Sequence, residues 1–175
     1  MKVPAGSFVA DGETVSVTVR AARLGDEAEI LRMIRALADF EREPDAVEAT
    51  EAMIGRALFA DGAHVHAHIA ERDGQAVGLA LWFLNYSTWT GKPGLYLEDL
   101  FVDPSERRSG VARALMTALA QEAQARGCAR MDWAVLDWNE EAMRFYRRIG
   151  ARRSEGWQPW RLEADGIARL AAGEA

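Results

Sequence analysis

The chain has almost no cysteine. Cys128 is the only one among 175 residues. An intrachain disulfide is therefore excluded, and a reducing cytoplasm is the default setting. Lysine is nearly as scarce. Lys2 and Lys92 are the only two, arginine carries the rest of the basic charge, and this bias reads as genomic base composition rather than function. An excess of basic charge is missing as well. The formal net charge is −6, which argues against a nucleic-acid binder and suits a small cationic substrate drawn to an acidic cleft. No apolar run approaches the roughly 20 residues that a membrane span needs. The opening Met1-Lys2-Val3-Pro4-Ala5-Gly6 lacks the apolar stretch of a signal peptide. No repeat, linker or low-complexity block stands out. What is present is ordinary globular composition, 49% hydrophobic and 27% charged, in a length that makes one domain with a real core. Residues 1–14 read as a loose lead-in and 15–172 as the domain.

Periodicity divides the domain. Val15, Val17 and Val19 alternate with Ser16 and Thr18 as a strand does. Gly25-Asp26 opens a helix with Asp26 as N-cap and Glu29 three residues on, and Ile30, Met33, Ile34, Leu37 and Phe40 give it one apolar face. A second short helix is expected near Glu48 to Ala60. Strands follow from Val65 to Glu71 and from Ala76 to Tyr86, joined at Asp73-Gly74, and another from Leu95 to Val102. A helix from about Gly110 to Arg126 ends at Gly127. Met131 to Leu136 reads as a strand, Asn139 as the cap of a helix stopped by Gly150, Trp157 to Leu162 as a last strand, and Ile167 to Ala172 as a tail helix. This order predicts an α/β fold, a mixed sheet with helices on both faces.

The densest signal is Tyr96-Leu97-Glu98-Asp99-Leu100-Phe101-Val102-Asp103-Pro104, followed by Arg107-Arg108-Ser109-Gly110-Val111-Ala112 and an apolar-periodic helix. A strand, a basic glycine-containing loop and a helix start in direct succession make a seat for phosphate. The first N–H groups of a helix have no partner within it, and Gly110 and Ala112 leave the backbone accessible. The pattern Arg-x-x-Gly-x-Ala resembles the acyl-CoA loop of the GNAT acetyltransferase superfamily. Further segments carry the likeness through the domain. They are Tyr86-Ser87-Thr88-Trp89-Thr90-Gly91-Lys92, Ala134-Val135-Leu136-Asp137-Trp138-Asn139, Phe145-Tyr146-Arg147-Arg148-Ile149-Gly150-Ala151 and Glu155-Gly156-Trp157. Together they resemble the diamine (spermidine/spermine-type) N-acetyltransferase branch. Ser87 stands where polyamine enzymes carry an aspartate, and in this the chain is similar to the thialysine Nε-acetyltransferase subgroup.

The resemblance implies a GNAT fold, a homodimer, and direct transfer of acetyl from acetyl-CoA to the primary amine of a small cationic amino acid or diamine, with no metal. Spermidine or spermine acetylation, or a non-catalytic CoA-binding module, are the alternatives. An alkylamine must lose a proton before it attacks, the thioester oxygen needs donors as it gains charge, and the thiolate benefits from a proton. Glu98 is the candidate base, acting through water. Asp99 is a candidate for attracting the ammonium, and which of the two carboxylates faces the cleft depends on a bulge that the sequence does not reveal. The resemblance gives the backbone of Leu100, Phe101 and Val102 to the thioester and pantetheine, and Tyr146 to the leaving sulfur as acid and cofactor contact. It gives Arg107, Arg108, Ser109, Gly110, Val111 and Ala112 to the pyrophosphate and Asn139 to the CoA arm. Phe40, Glu41, Trp89 and Trp157 are, with Glu98 and Asp99, the substrate-pocket candidates.

Two other patterns stand outside this scheme. His64, His66 and His68 alternate with apolar residues and are expected on one strand face, without the cysteine or acidic neighbour that would complete a metal site. Cys128 reads as a small buried residue.

Overall fold

The computed structural model describes residues 17–174. Val15 and the expected lead-in, 1–14, lie outside them. The chain divides into two compact units, one ending at Ala134 and one beginning at Val135.

The first unit runs β1 (Thr18–Ala21), α1 (Glu27–Glu41), a 3-10 turn at Pro44–Ala46, α2 (Glu51–Phe59), β2 (Val65–Arg72), β3 (Gln75–Ser87), β4 (Lys92–Val102), a 3-10 turn at Pro104–Glu106, α3 (Val111–Ala125) and β5 (Met131–Trp133). The sheet order is β1-β2-β3-β4-β5. The first four strands pair antiparallel and β5 joins β4 in parallel. Asp73 and Gly74 both take positive φ, 51° and 76°, the conformation that a two-residue hairpin needs between right-twisted strands.

Alternation along the strands separates two faces. Ala67, Ile69, Leu79 and Phe101 point to the side where Ile30, Leu31 and Met33 of α1 and Ile54 of α2 complete a dry cluster. The opposite face receives α3 through Leu115 and Leu119, both fully buried. Gly78 makes this approach possible. A Cβ there would stand 2.9 Å from Val111 Cγ1 and 3.1 Å from Leu115 Cδ1.

Three sequence expectations change in the structure. Asp26 precedes α1, but its side chain does not cap the helix. It accepts from both terminal nitrogens of Arg20, at 2.6 and 2.9 Å, and from the Arg23 N–H at 2.7 Å. A charged bidentate partner outcompetes a neutral amide, and the Arg20 guanidinium holds the Asp26 carboxyl below its usual value. The strand expected from Met131 to Leu136 ends at Trp133. Its ladder reaches only from Leu95↔Met131 to Leu97↔Trp133, because β4 departs from regular pairing at the next residue.

In the second unit, α4 (Glu140–Arg148) and α5 (Ala164–Ala171) flank residues 149–163, which form neither helix nor strand. Asn139 caps α4, its Oδ1 accepting from the Ala142 N–H at 3.1 Å. The strand expected from Trp157 to Leu162 is absent. Its aromatics are three apart rather than two, Pro159 has no N–H to give a ladder, and Trp157 and Trp160 are 73% and 91% exposed.

Candidate active site

The bulge that the sequence left open lies at Glu98. Leu97 pairs with Trp82 and Asp99 with Leu81, so Glu98 is one extra residue in β4 with no partner in β3. It is exposed, whereas Asp99 is mostly covered. Asp99 shares the α1 face with Phe101, which brings it toward the end of α1. Burial raises the Asp99 carboxyl to about 6, and the negative charges of Glu98 and Glu41 add to the rise. Burial also raises Glu41. Three of the expected substrate-pocket carboxylates therefore share one neighbourhood. An unneutralised negative cluster of this kind favours the approach of a cation.

The bulge also decides where the backbone of β4 points. The Asp103 N–H donates to Val77 C=O at 2.9 Å on the β3 side. Strict alternation then turns Asp99 and Phe101 toward β3, and Leu100 and Val102 toward the other edge. Past Leu97 that edge has no strand partner among the described residues. Of the three residues expected to offer backbone donors, Leu100 and Val102 present them to this edge, whereas Phe101 spends its backbone on β3 and its side chain in the core.

The expected phosphate loop runs from the end of β4 to α3. Gly110 precedes the helix with φ 90° and supplies no side-chain cap, and a Cβ built on it meets nothing within 4 Å. The leading N–H groups of α3 thus stand at an open, uncapped helix start. Oxygen-rich anions fit this arrangement. Arg107 carries its guanidinium 4.7 Å above the Phe40 ring, tying the loop to the end of α1. Arg108 is exposed and has φ 65°. Ser109 is turned inward, its hydroxyl donating to Glu106 C=O at 2.6 Å.

Sequence reasoning missed the anchors of this loop. Arg32 of α1 donates to both carboxylate oxygens of Asp103, at 3.1 and 3.2 Å, and to Ala76 C=O. Arg72 of β2 pairs with Glu106 and donates to Ser109 C=O. These partners lie far apart in sequence and have no shared motif, so no local signal announces them.

Other candidates are distributed differently. Ser87 is buried at the β3–β4 turn, where its Oγ accepts from the Thr90 N–H at 3.3 Å. Trp89 lies in the same turn and is exposed. Tyr146, Asn139 and Trp157 belong to the second unit. Tyr146 is half-buried beside Phe145, and burial raises its phenol to about 12, so it is protonated at neutral pH. His64 precedes β2 and is exposed, so only His66 and His68 share the α3 face with Trp82. The Trp82 indole N–H donates to His68 Nδ1 at 3.0 Å, which leaves the proton of the neutral ring on Nε2. No three His, Cys, Asp or Glu side chains gather as a metal site among the described residues. Cys128 is half-buried rather than buried, and burial pushes its thiol up.

Comparison with known proteins adds the chemistry of relatives. The Acetyltransferase (GNAT) family matches residues 30–151. A thialysine N-epsilon-acetyltransferase of Sus scrofa is 36% identical over 167 residues, covering 89% of this chain and 98% of that protein. A spermidine/spermine N(1)-acetyltransferase-like protein 1 of Homo sapiens is 34% identical over 87% of this chain and 23% of its own length. Among solved structures, an aminoglycoside N-acetyltransferase in complex with CoA superposes with a TM-score of 0.67 at 21% identity, covering 91% of this chain and 98% of that one. Strand, loop and helix are thus arranged as the family requires, and the chain belongs to the GNAT acetyltransferase family as an N-acetyltransferase.

Proposed function

We propose that this enzyme moves acetyl from acetyl-CoA to the side-chain amine of a small cationic amino acid, of the thialysine, lysine or ornithine type, or to a diamine, by direct transfer in a ternary complex. One observation carries the reading. Along β4 and its continuation come a carboxylate pair at a bulge, a strand edge without a strand partner among the described residues, and an uncapped helix start, in the order that amine, thioester and pyrophosphate require. Similarity to thialysine acetyltransferases over nearly their whole length supports the choice of acceptor.

The chain's residues then divide the work. Asp99 and Glu41 hold the ammonium, with the Phe40 and Trp89 rings beside them, and Trp157 keeps the substrate-binding role that the resemblance implies. Glu98, exposed at the bulge, takes the amine proton through water. The freed nitrogen attacks the thioester carbon, and the N–H groups of Leu100 and Val102 meet the oxygen that gains charge. As the C–S bond breaks, Tyr146 presents its O–H to the departing sulfur. The loop from Arg107 to Ala112 binds the pyrophosphate, and Asn139 the arm that leads from it. The domain is taken as 15–172, in a cytoplasmic homodimer, the assembly and setting that accompany the resemblance and the single cysteine.

A second assignment of the base has its own support. A carboxyl near 6 is better matched to proton exchange at neutral pH than an ordinary one, which favours Asp99. The test is thiol release from acetyl-CoA with thialysine, lysine, ornithine, putrescine, spermidine and spermine. Highest turnover on the amino acids is expected. Highest turnover on spermidine moves the enzyme to polyamines, and CoA binding without turnover on any amine makes it a binding module.

A further inference from the structure

The loop before α3 is held in a conformation that it would not adopt alone. Arg108 has φ 65°, a left-handed setting that strains a non-glycine residue. Gly110 follows at φ 90°. Such a backbone persists only where its surroundings fix it. The Arg72 guanidinium is one group that fixes it. Arg72, reaching across from β2, pairs with the Glu106 carboxylate before the strained residue and donates through Nη2 to Ser109 C=O after it, at 3.4 Å. The Ser109 hydroxyl closes the bracket by donating to Glu106 C=O. The Arg72 and Glu106 side chains are only 15% and 22% exposed, so the pair is shielded from solvent competition.

The hydrogen bond to Ser109 has a geometric consequence. In a trans peptide the C=O and the following N–H point in opposite directions. Turning the Ser109 carbonyl toward Arg72 turns the Gly110 N–H away from β2, outward at the open start of α3. We propose that Arg72 is a positioning residue for the phosphates of the acetyl donor: it never touches them, but it aims the backbone that does. This rests on the assignment of acetyl-CoA made above.

The experiment compares donors with and without phosphate. Arg72→Met keeps bulk and removes the donors, and Glu106→Gln cuts the same pair from the loop side. CoA affinity is read by calorimetry, and kcat/KM is measured for acetyl-CoA and for S-acetyl-pantetheine, which carries the same thioester without phosphates. Arg72→Met should weaken CoA binding by about tenfold, with the KM for acetyl-CoA rising and kcat within about twofold. Its kcat/KM on S-acetyl-pantetheine should stay at the wild-type value. Glu106→Gln should move in the same direction, and Arg72→Lys should recover part of the loss. Unchanged CoA affinity in both variants overturns the proposal, as does an equal loss on both donors, which a merely structural role would give. Wild-type protein that fails to bind CoA overturns the donor assignment as well, a result distinct from wild-type binding that the variants leave intact.

Discussion

Two halves of one strand are built to opposite rules. From Leu95 to Leu97, β4 is paired on both sides, and Leu95 and Leu97 are 0% and 1% exposed. From Asp99 to Val102 it is paired with β3 alone among the described residues, and it carries Asp99 near 6. A single inserted residue separates them. The first half is the anchor of the sheet, and the second lacks one row of pairing, which in the proposed function leaves its backbone to face the thioester. Stability and chemistry should therefore separate at residue 98, and mutations can break or sharpen that boundary.

The largest effect is expected from Glu98→Gln, which should lower kcat by about 10²- to 10³-fold while leaving the thermal midpoint unchanged. Deleting Glu98 is the sharper version. Leu97↔Trp82 and Asp99↔Leu81 are already successive pairs from the side of β3, so the shortened strand should fold with its faces preserved and lose activity. Circular dichroism and turnover measured together check both statements. On the other side of the boundary, Leu97→Ala should cost about 3 kcal/mol of stability in denaturant titration, with the activity of the folded fraction retained.

Asp99→Asn is expected to act on both. The folded carboxyl holds its proton to about 6, whereas an unfolded aspartate releases it near 4. This group therefore favours the folded state in acid and loses that contribution as pH rises through 6. The asparagine variant should be more stable than wild type by about 1–2 kcal/mol at pH near 8 and equal to it near pH 4. It should also raise the KM for the amine, and lack the rise in kcat/KM expected of wild type through pH 6. Phe83→Leu should do least. It disturbs the Phe83–Tyr96 ring pair, at 5.2 Å between centroids, and should cost about 1 kcal/mol with unchanged turnover.

Much of this architecture is legible in the sequence, because local chemistry decides it. Asp73-Gly74 sets the β2–β3 hairpin, Asn139 caps α4, and Gly127 marks the end of the helix that follows Gly110. The site is legible only to the level of residue type. Glu98 and Asp99 are visible as two carboxylates in a strand, but their division into an exposed and a mostly covered one comes from a register slip. That slip depends on how β3 and β4 meet, and no window of either strand contains it. The errors have the same origin. Met131 to Leu136 carries strand-forming residues, yet the ladder stops when β4 turns irregular. Asp26 has the right residue type for a cap, yet Arg20 claims it from β1. Arg72 and Arg32 hold the loop through partners brought together by the fold alone.

The order of the sheet bears on how the chain finds its structure. β1 to β4 are neighbours in space in the order in which they are synthesised, and the β2–β3 and β3–β4 links are tight turns. Residues 22–64 separate β1 from β2, and the passage from β4 through α3 to β5 likewise encloses a long stretch of chain, so that closing it costs more entropy than either hairpin. The loop assigned to the donor's phosphates lies inside that passage. A ligand seated there fastens one of the two long closures of the sheet, so occupancy should slow amide exchange in β5 more than in the β2–β3 hairpin.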